Sequence, residues 1–139
     1  MSDLGLTHIA LPVSNIDVSV AFYAKYARMQ VVHRRVDAES GATVVWITDR
    51  TRPFVIVLIE TTKVDFPLLP FAHLGVGCAT REEVDRLCEL ARSEGCLHLG
   101  PTDSGYPVGY WAFFADPDGH TLEVSFGQEI ALTVEHSQR

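Results

Sequence analysis

The 139-residue chain is 47% hydrophobic and 21% charged, with a formal net charge of −7. That length and balance fit one globular domain with a core of its own and need no disulfide or metal staple. The acidic excess lies wholly in the second half: residues 1–66 carry seven Lys/Arg and seven Asp/Glu, residues 67–139 four and eleven, so nucleic acid is not an expected partner. No apolar run approaches the roughly 18 residues of a membrane span, and Met1 to Gly5 lacks the start of a secretory signal, so no membrane partner and a cytoplasmic location are expected.

In chain order the periodicity predicts a strand over 6–13, a helix over 15–28, and strands over 30–36, 43–48 and 54–60. The order then repeats, with a strand over 71–78, a helix over 81–94, and strands over 96–99, 109–115 and 120–127. The chain thus reads as an α+β fold of two βαβββ modules, at about 6–62 and 71–127, within a single domain spanning 1–139; a polar tail fills 128–139. Ser14 and Thr80 are expected to cap the two helices, each with an acid three residues later, Asp17 and Glu83. The buried stripes are expected at Ile16, Val20, Tyr23 and Ala24, and at Val84, Leu87, Cys88 and Ala91. Gly95 is placed to end the second helix. Cys78, Cys88 and Cys96 are odd in number and never spaced as C-x-x-C, which points to free thiols rather than a disulfide frame or a thiolate metal site.

Candidate ligands stand at matching places in the two modules. His8 lies in Leu6-Thr7-His8-Ile9-Ala10 and His73, 65 residues later, in Phe71-Ala72-His73-Leu74-Gly75. The turn Asp116-Pro117-Asp118-Gly119 fixes the face on which Glu123 lies. Glu123 stands between Leu122 and Val124, and a carboxylate on a buried sheet face is costly unless paired or metal-bound. Two imidazoles and this carboxylate predict a divalent-metal site. His33 and His98 share the same 65-residue offset but sit among charged or turn-forming neighbours and read as surface residues. His120 and His136 are not expected to be ligands. Tyr106, Tyr110, Trp111, Phe113 and Phe114 crowd one segment, half of them facing the ligands, with the parity open.

Together the repeated layout, Thr7-His8-Ile9-Ala10, Phe22-Tyr23, Ala72-His73-Leu74-Gly75-Val76 and above all Phe114-Ala115-Asp116-Pro117-Asp118-Gly119-His120-Thr121-Leu122-Glu123-Val124 resemble the vicinal oxygen chelate superfamily. This group holds glyoxalase I, fosfomycin-resistance enzymes, methylmalonyl-CoA epimerase, extradiol dioxygenases and bleomycin-resistance proteins. The resemblance spans residues 6–127 and implies curved mixed sheets forming a central cup, a homodimer, and a divalent ion on His8, His73 and Glu123. Fe(II) or Mn(II) suits two imidazoles and a carboxylate, and Zn(II) or Ni(II) is compatible. It implies a lyase, isomerase or dioxygenase acting on a small oxygenated substrate that chelates the metal, with Glu123, Tyr106 and Tyr110 as candidate catalytic or substrate-contacting residues.

Members differ in ways this chain speaks to. Glyoxalase I has a fourth ligand where an offset of 66 from Glu123 gives Val57. Extradiol dioxygenases, which cleave aromatic diols, carry a tyrosine where this chain has Phe113. Fosfomycin-resistance enzymes use cations for the phosphonate, and residues 93–127 contain no Lys or Arg. The alternative is a non-catalytic drug-binding protein like the bleomycin-resistance proteins.

Overall fold

The computed structural model of the chain describes residues 5–137, and the chain divides into two compact units, Met1–Pro67 and Leu68–Arg139. The first contains β1 (His8–Val13), α1 (Ile16–Ala27), β2 (Gln30–Val36), β3 (Thr43–Thr48) and β4 (Val55–Glu60). The second contains β5 (His73–Gly77), α2 (Arg81–Glu94), β6 (Leu97–Asp103), β7 (Tyr110–Ala115), β8 (Thr121–Phe126) and a short α3 (Ile130–His136). The two expected βαβββ modules therefore fall one in each unit. Among the described residues no helix is long and apolar enough to cross a membrane.

Each unit is one mixed four-stranded sheet with its main helix on one face. The strand orders are β1-β4-β3-β2 and β5-β8-β7-β6. In each, the first strand runs parallel to the last, and the remaining pairs are antiparallel. A parallel pair needs a long crossover, and here the intervening helix and two strands supply it. Alternation then sorts the side chains. In the first unit Leu11, Val13, Ile47, Ile56 and Leu58 are buried while His8, Ala10, Pro12 and Trp46 are exposed on the other face. In the second, Ala112, Phe114, Leu122 and Val124 are buried, and α2 packs on β6, β7 and β8.

α2 buries Val84, Leu87, Cys88 and Ala91, the expected stripe, and ends at Gly95 with φ 77°. Thr80 caps it, its hydroxyl accepting the Glu83 N–H at 3.1 Å. α1 departs from expectation in two ways. Its cap is Asn15 rather than Ser14, with Asn15 Oδ1 accepting the Val18 N–H at 3.2 Å. Its buried face is Ile16, Ser19, Phe22, Tyr23, Tyr26 and Ala27, so Ala24 is exposed and Val20 only half-buried. The buried face is centred on the aromatic side of the helix: the Phe22 ring meets Tyr23 at 5.1 Å and Tyr26 at 4.8 Å. Bulk outweighs the smaller aliphatic stripe, because an aromatic side chain buries far more area than alanine.

Beyond Phe126 the polar tail forms α3, which no sequence signal anticipates. Ile130 and Val134 lie one turn apart, and the Glu129 N–H donates to Pro107 O at 3.0 Å, tying the helix start to the loop before β7. Removing either observed cap tests the corrected helix start: Asn15→Ala and Thr80→Ala should each cost about 1 kcal/mol in urea unfolding.

Candidate functional site

β5 and β8 pair in a register that sets His73 against Thr121, Gly75 against Glu123 and Gly77 against Ser125. These residues share the face of the sheet away from α2. β7 adds Phe113 opposite Glu123 and Trp111 opposite Ser125. Glycine at 75 leaves space beside the carboxylate: a Cβ built there would touch Glu123 Oε2 at 3.4 Å. A cavity of about 480 Å³ opens over this face, lined by His73, Gly75 and Glu123 with Val108, Gln128 and Val134.

Glu123 is 8% exposed. Its hydrogen-bond partner is Gln128, whose Nε2 donates to Oε2 at 3.4 Å, at the long limit for such a bond. A carboxylate this buried, held by one stretched amide, retains acceptor capacity for a cation. His73 lies exposed on the same face. Its Nδ1 is 2.8 Å from Pro70 O, and a carbonyl can only accept, so Nδ1 carries the proton and Nε2 a lone pair. The His73 ring stands 5.0 Å from Phe113, which stands 4.8 Å from Trp111. Trp111 is fixed in turn by donating Nε1–H to Ser104 Oγ at 2.9 Å.

His8 occupies the matching first position of β1 in the first unit, exposed, with Nδ1 3.0 Å from Thr7 Oγ1. The register of β1 with β4 sets Ala10 against Val57, as Gly75 is set against Glu123, so Val57 is the positional twin of Glu123. Glu60 is drawn into a structural task, its Oε2 accepting the Ile16 N–H at 2.9 Å at the start of α1. Among the described residues no group of three or more His, Cys, Asp or Glu is gathered as a metal cluster; the structure brings His73 and Glu123 to one cavity, and His8 belongs to the other unit.

The aromatic segment divides by parity. Trp111 and Phe113 share the face of Glu123, whereas Tyr110, Ala112 and Phe114 take the opposite one. Tyr110, expected as a substrate contact, is turned toward α2: its hydroxyl donates to Asp85, and the Arg81 guanidinium lies 3.8 Å from its ring centroid. Arg81 also donates to Asp103 Oδ2 at 3.0 Å. The hydrogen bond to Asp85, with a smaller contribution from burial, holds the Tyr110 phenol above its ordinary pKa. Tyr106 is 78% exposed in the loop before β7 and does not line the cavity. Burial likewise pushes the Cys88 thiol up to about 11, consistent with the expected inert thiol.

His120 is the residue that sequence reasoning passed over. It is 1% exposed, and its Nδ1 accepts the Leu68 N–H at 2.9 Å. Its signal was parity, since His120 alternates in step with the buried Leu122 and Val124.

Residues 5–124 match the family described as the Glyoxalase/Bleomycin resistance protein/Dioxygenase superfamily. The uncharacterized protein PA2024 of Pseudomonas aeruginosa is 34% identical over 128 residues, covering 90% of each chain. A probable lactoylglutathione lyase of Vibrio parahaemolyticus is 25% identical, covering 97% of this chain and 99% of its own. Among solved structures, a mutant of the fosfomycin resistance protein FosX of Listeria monocytogenes, complexed with Mn(II) and 1S,2S-dihydroxypropylphosphonic acid, superposes with TM-score 0.73 at 20% identity, covering 94% of this chain and 97% of its own.

A phenolate absorbance titration tests the placement of Tyr110. A phase lost in Tyr110→Phe should lie above the ordinary tyrosine value of about 10 and move back toward it in Asp85→Asn. Because the folded pKa is raised, the stability this bond contributes is complete below the unfolded value and is lost as pH rises through the folded one.

Proposed function

The chain belongs to the Glyoxalase/Bleomycin resistance protein/Dioxygenase superfamily, and from that footing we propose that it is a divalent-metal-dependent enzyme acting on a small oxygenated substrate. The buried Glu123 carboxylate, engaged by Gln128 at 3.4 Å and set beside a His73 whose Nε2 is left with its lone pair, carries the proposal. The family resemblance adds His8, at the repeat-related position, as a second imidazole donor beside the carboxylate. This donor set suits Fe(II) or Mn(II) and accepts Zn(II) or Ni(II). Such an ion, when bound, supplies Lewis acidity and a template for two adjacent substrate oxygens.

The chain's own residues shape what binds there. Pro70 O orients the His73 ring, and Gln128 steadies Glu123 while Gly75 leaves Oε2 approachable. In this reading Glu123 is also the candidate group to hold a proton during an isomerase, lyase or dioxygenase reaction. Val108, Ile130 and Val134 give the cavity an apolar lining that favours an aromatic or aliphatic substrate body. Residues 93–127 contain no Lys or Arg, which speaks against the anionic phosphonates of the FosX proteins. Val57 at the twin position speaks against a fourth protein ligand of the glyoxalase I kind. Tyr110 is committed to Asp85, so Tyr106 alone remains a candidate substrate contact outside the cavity wall. A homodimer is part of the proposal, on the strength of the family resemblance.

A second reading is favoured by one observation, that no group of three or more potential ligands is gathered among the described residues. On it the protein sequesters an apolar ligand without catalysis, as bleomycin-resistance proteins do.

Metal analysis separates the two. The enzyme reading expects about one ion per chain after reconstitution with Fe(II), Mn(II), Zn(II) or Ni(II), a rise in melting temperature because the ion binds only the folded state, and loss of both in His8→Ala, His73→Ala and Glu123→Gln. A chain that holds no ion under any of these conditions leaves the sequestering module standing. Sedimentation of the same samples checks the homodimer.

A further inference from the structure

The linker residues just ahead of β5 form a strap that the structure ties down from one side. The Leu68 N–H donates to His120 Nδ1 at 2.9 Å, and the Thr121 N–H donates to Leu68 O at 2.7 Å. Both backbone polar groups of Leu68 are therefore held by two adjacent residues at the start of β8. Two residues later Pro70 offers its carbonyl to His73 Nδ1 at 2.8 Å, and the Ala72 N–H closes back on Leu69 O at 2.6 Å. Side-chain packing holds this strap only in part: Leu68 and Pro70 are half-buried, but Leu69 is 60% exposed and Phe71 fully so. Hydrogen bonds supply the rest.

His120 is built to serve as that anchor. Its backbone N–H donates to Asp116 Oδ1 at 2.9 Å, as does that of Asp118, so the Asp-Pro-Asp-Gly turn fixes the residue from its own backbone. The ring is 1% exposed. An amide N–H can only donate, so Nδ1 of His120 must be the unprotonated nitrogen. The two histidines are thus locked in opposite tautomers by their partners: His120 accepts at Nδ1, and His73 donates from Nδ1.

We infer that His120 is a positioning residue which, through the strap 68–72, sets the Pro70 carbonyl that holds the His73 ring in the Nδ1–H tautomer with Nε2 presented to the cavity. The role of His73 as a ligand rests on the function proposed above; the tautomer and its dependence on His120 do not. With His120 removed, Leu68 keeps only the bond to Thr121 and its N–H loses its acceptor. The peptide can then turn, Pro70 O leaves Nδ1, and the His73 ring samples both tautomers and other rotamers. Partners that orient a metal-bound imidazole in this way typically carry about 10–100-fold in metal affinity.

The test compares His120→Leu, which removes the acceptor, with His120→Asn, whose Oδ1 stands where Nδ1 was. Long-range nitrogen–proton spectra of the metal-free protein, at a pH where imidazoles are neutral, read the ring tautomers directly. Wild type and H120N should show His73 with the proton on Nδ1. H120L should show His73 exchanging toward the Nε2–H form, and its Mn(II) affinity should fall about 10–100-fold while H120N stays close to wild type. An unchanged His73 tautomer and affinity in H120L would overturn the inference. If H120L does not fold, wild type decides alone: a through-hydrogen-bond coupling between the Leu68 amide and His120 Nδ1, with His73 in the Nδ1–H form, supports it, and His73 in the Nε2–H form sinks it. Wild-type protein that binds none of Fe(II), Mn(II), Zn(II) or Ni(II) yet shows these tautomers removes the metal reading and leaves the anchoring role intact.

Discussion

The register of β8 against β5 is the constraint on which the second unit's chemistry depends. With Gly75 opposite Glu123, the one carboxylate on that face is left open on one side and walled by Phe113 on the other. A slip of one residue would send Glu123 into the core against α2 and bring Leu122 or Val124 out. The pleat alone cannot prevent such a slip, since apolar residues flank Glu123 on both sides. The turn ahead of β8 does. Asp116 Oδ1 accepts the Asp118 and His120 N–H groups, the Asp116 N–H donates to His120 O at 2.8 Å, and Gly119 takes φ 91°. Local turn chemistry therefore decides where a charge further along the strand will lie.

Duplication supplies a frame, and divergence at a few positions decides what each copy does with it. Both units keep the same strand order, the same parallel first and last strands, and a side-chain cap on the main helix. They part at the residue opposite the small side chain of the first strand. The first unit has Val57 facing Ala10, an apolar pair needing nothing further. The second has Glu123 facing Gly75, a pair that carries the cost of a buried carboxylate and gains an acceptor for it. Glu60, the acid nearest to Val57 on β4, does not substitute, because the Ile16 N–H at the start of α1 engages it.

Most of the fold was legible because two periodicities alternate cleanly along the chain. Strands predicted over 30–36 and 43–48 and a helix predicted over 81–94 match β2, β3 and α2 residue for residue. Failures fell where two local signals competed. Ser14 and Asn15 both cap well, and the hydroxyl was preferred; separately, the apolar spacing of α1 admits two stripes, and the one carrying Phe22 and Tyr26 is buried. α3 was read as a polar tail; no capping side chain marks its start, since its N-cap, Glu129, makes no side-chain bond. For the site, His73 and Glu123 were legible from repeat spacing and from the oddity of an acid in an apolar strand. The parity of residues 110–114 was not, since both faces of β7 are aromatic, and only pairing with β8 tells Phe113 from Phe114. Tyr110 looked like a pocket residue for the same reason.

Histidine type alone says little here, and the partner atom says nearly everything. His33 packs at a tilt against Trp46, ring centroids 4.7 Å apart, and its Nε2 accepts from the Arg35 guanidinium at 3.2 Å. His73 meets a carbonyl at Nδ1, which therefore carries a proton, and in the neutral ring Nε2 keeps the lone pair. His120 meets an amide N–H at Nδ1 and so must hold its proton elsewhere, in a site from which water is excluded. For His73 and His120 the difference between donor and acceptor is written in which backbone group is brought to Nδ1. That is why His120 resembled a dispensable turn residue in the sequence: the amide it accepts belongs to Leu68, 52 residues earlier, and no local pattern carries that pairing.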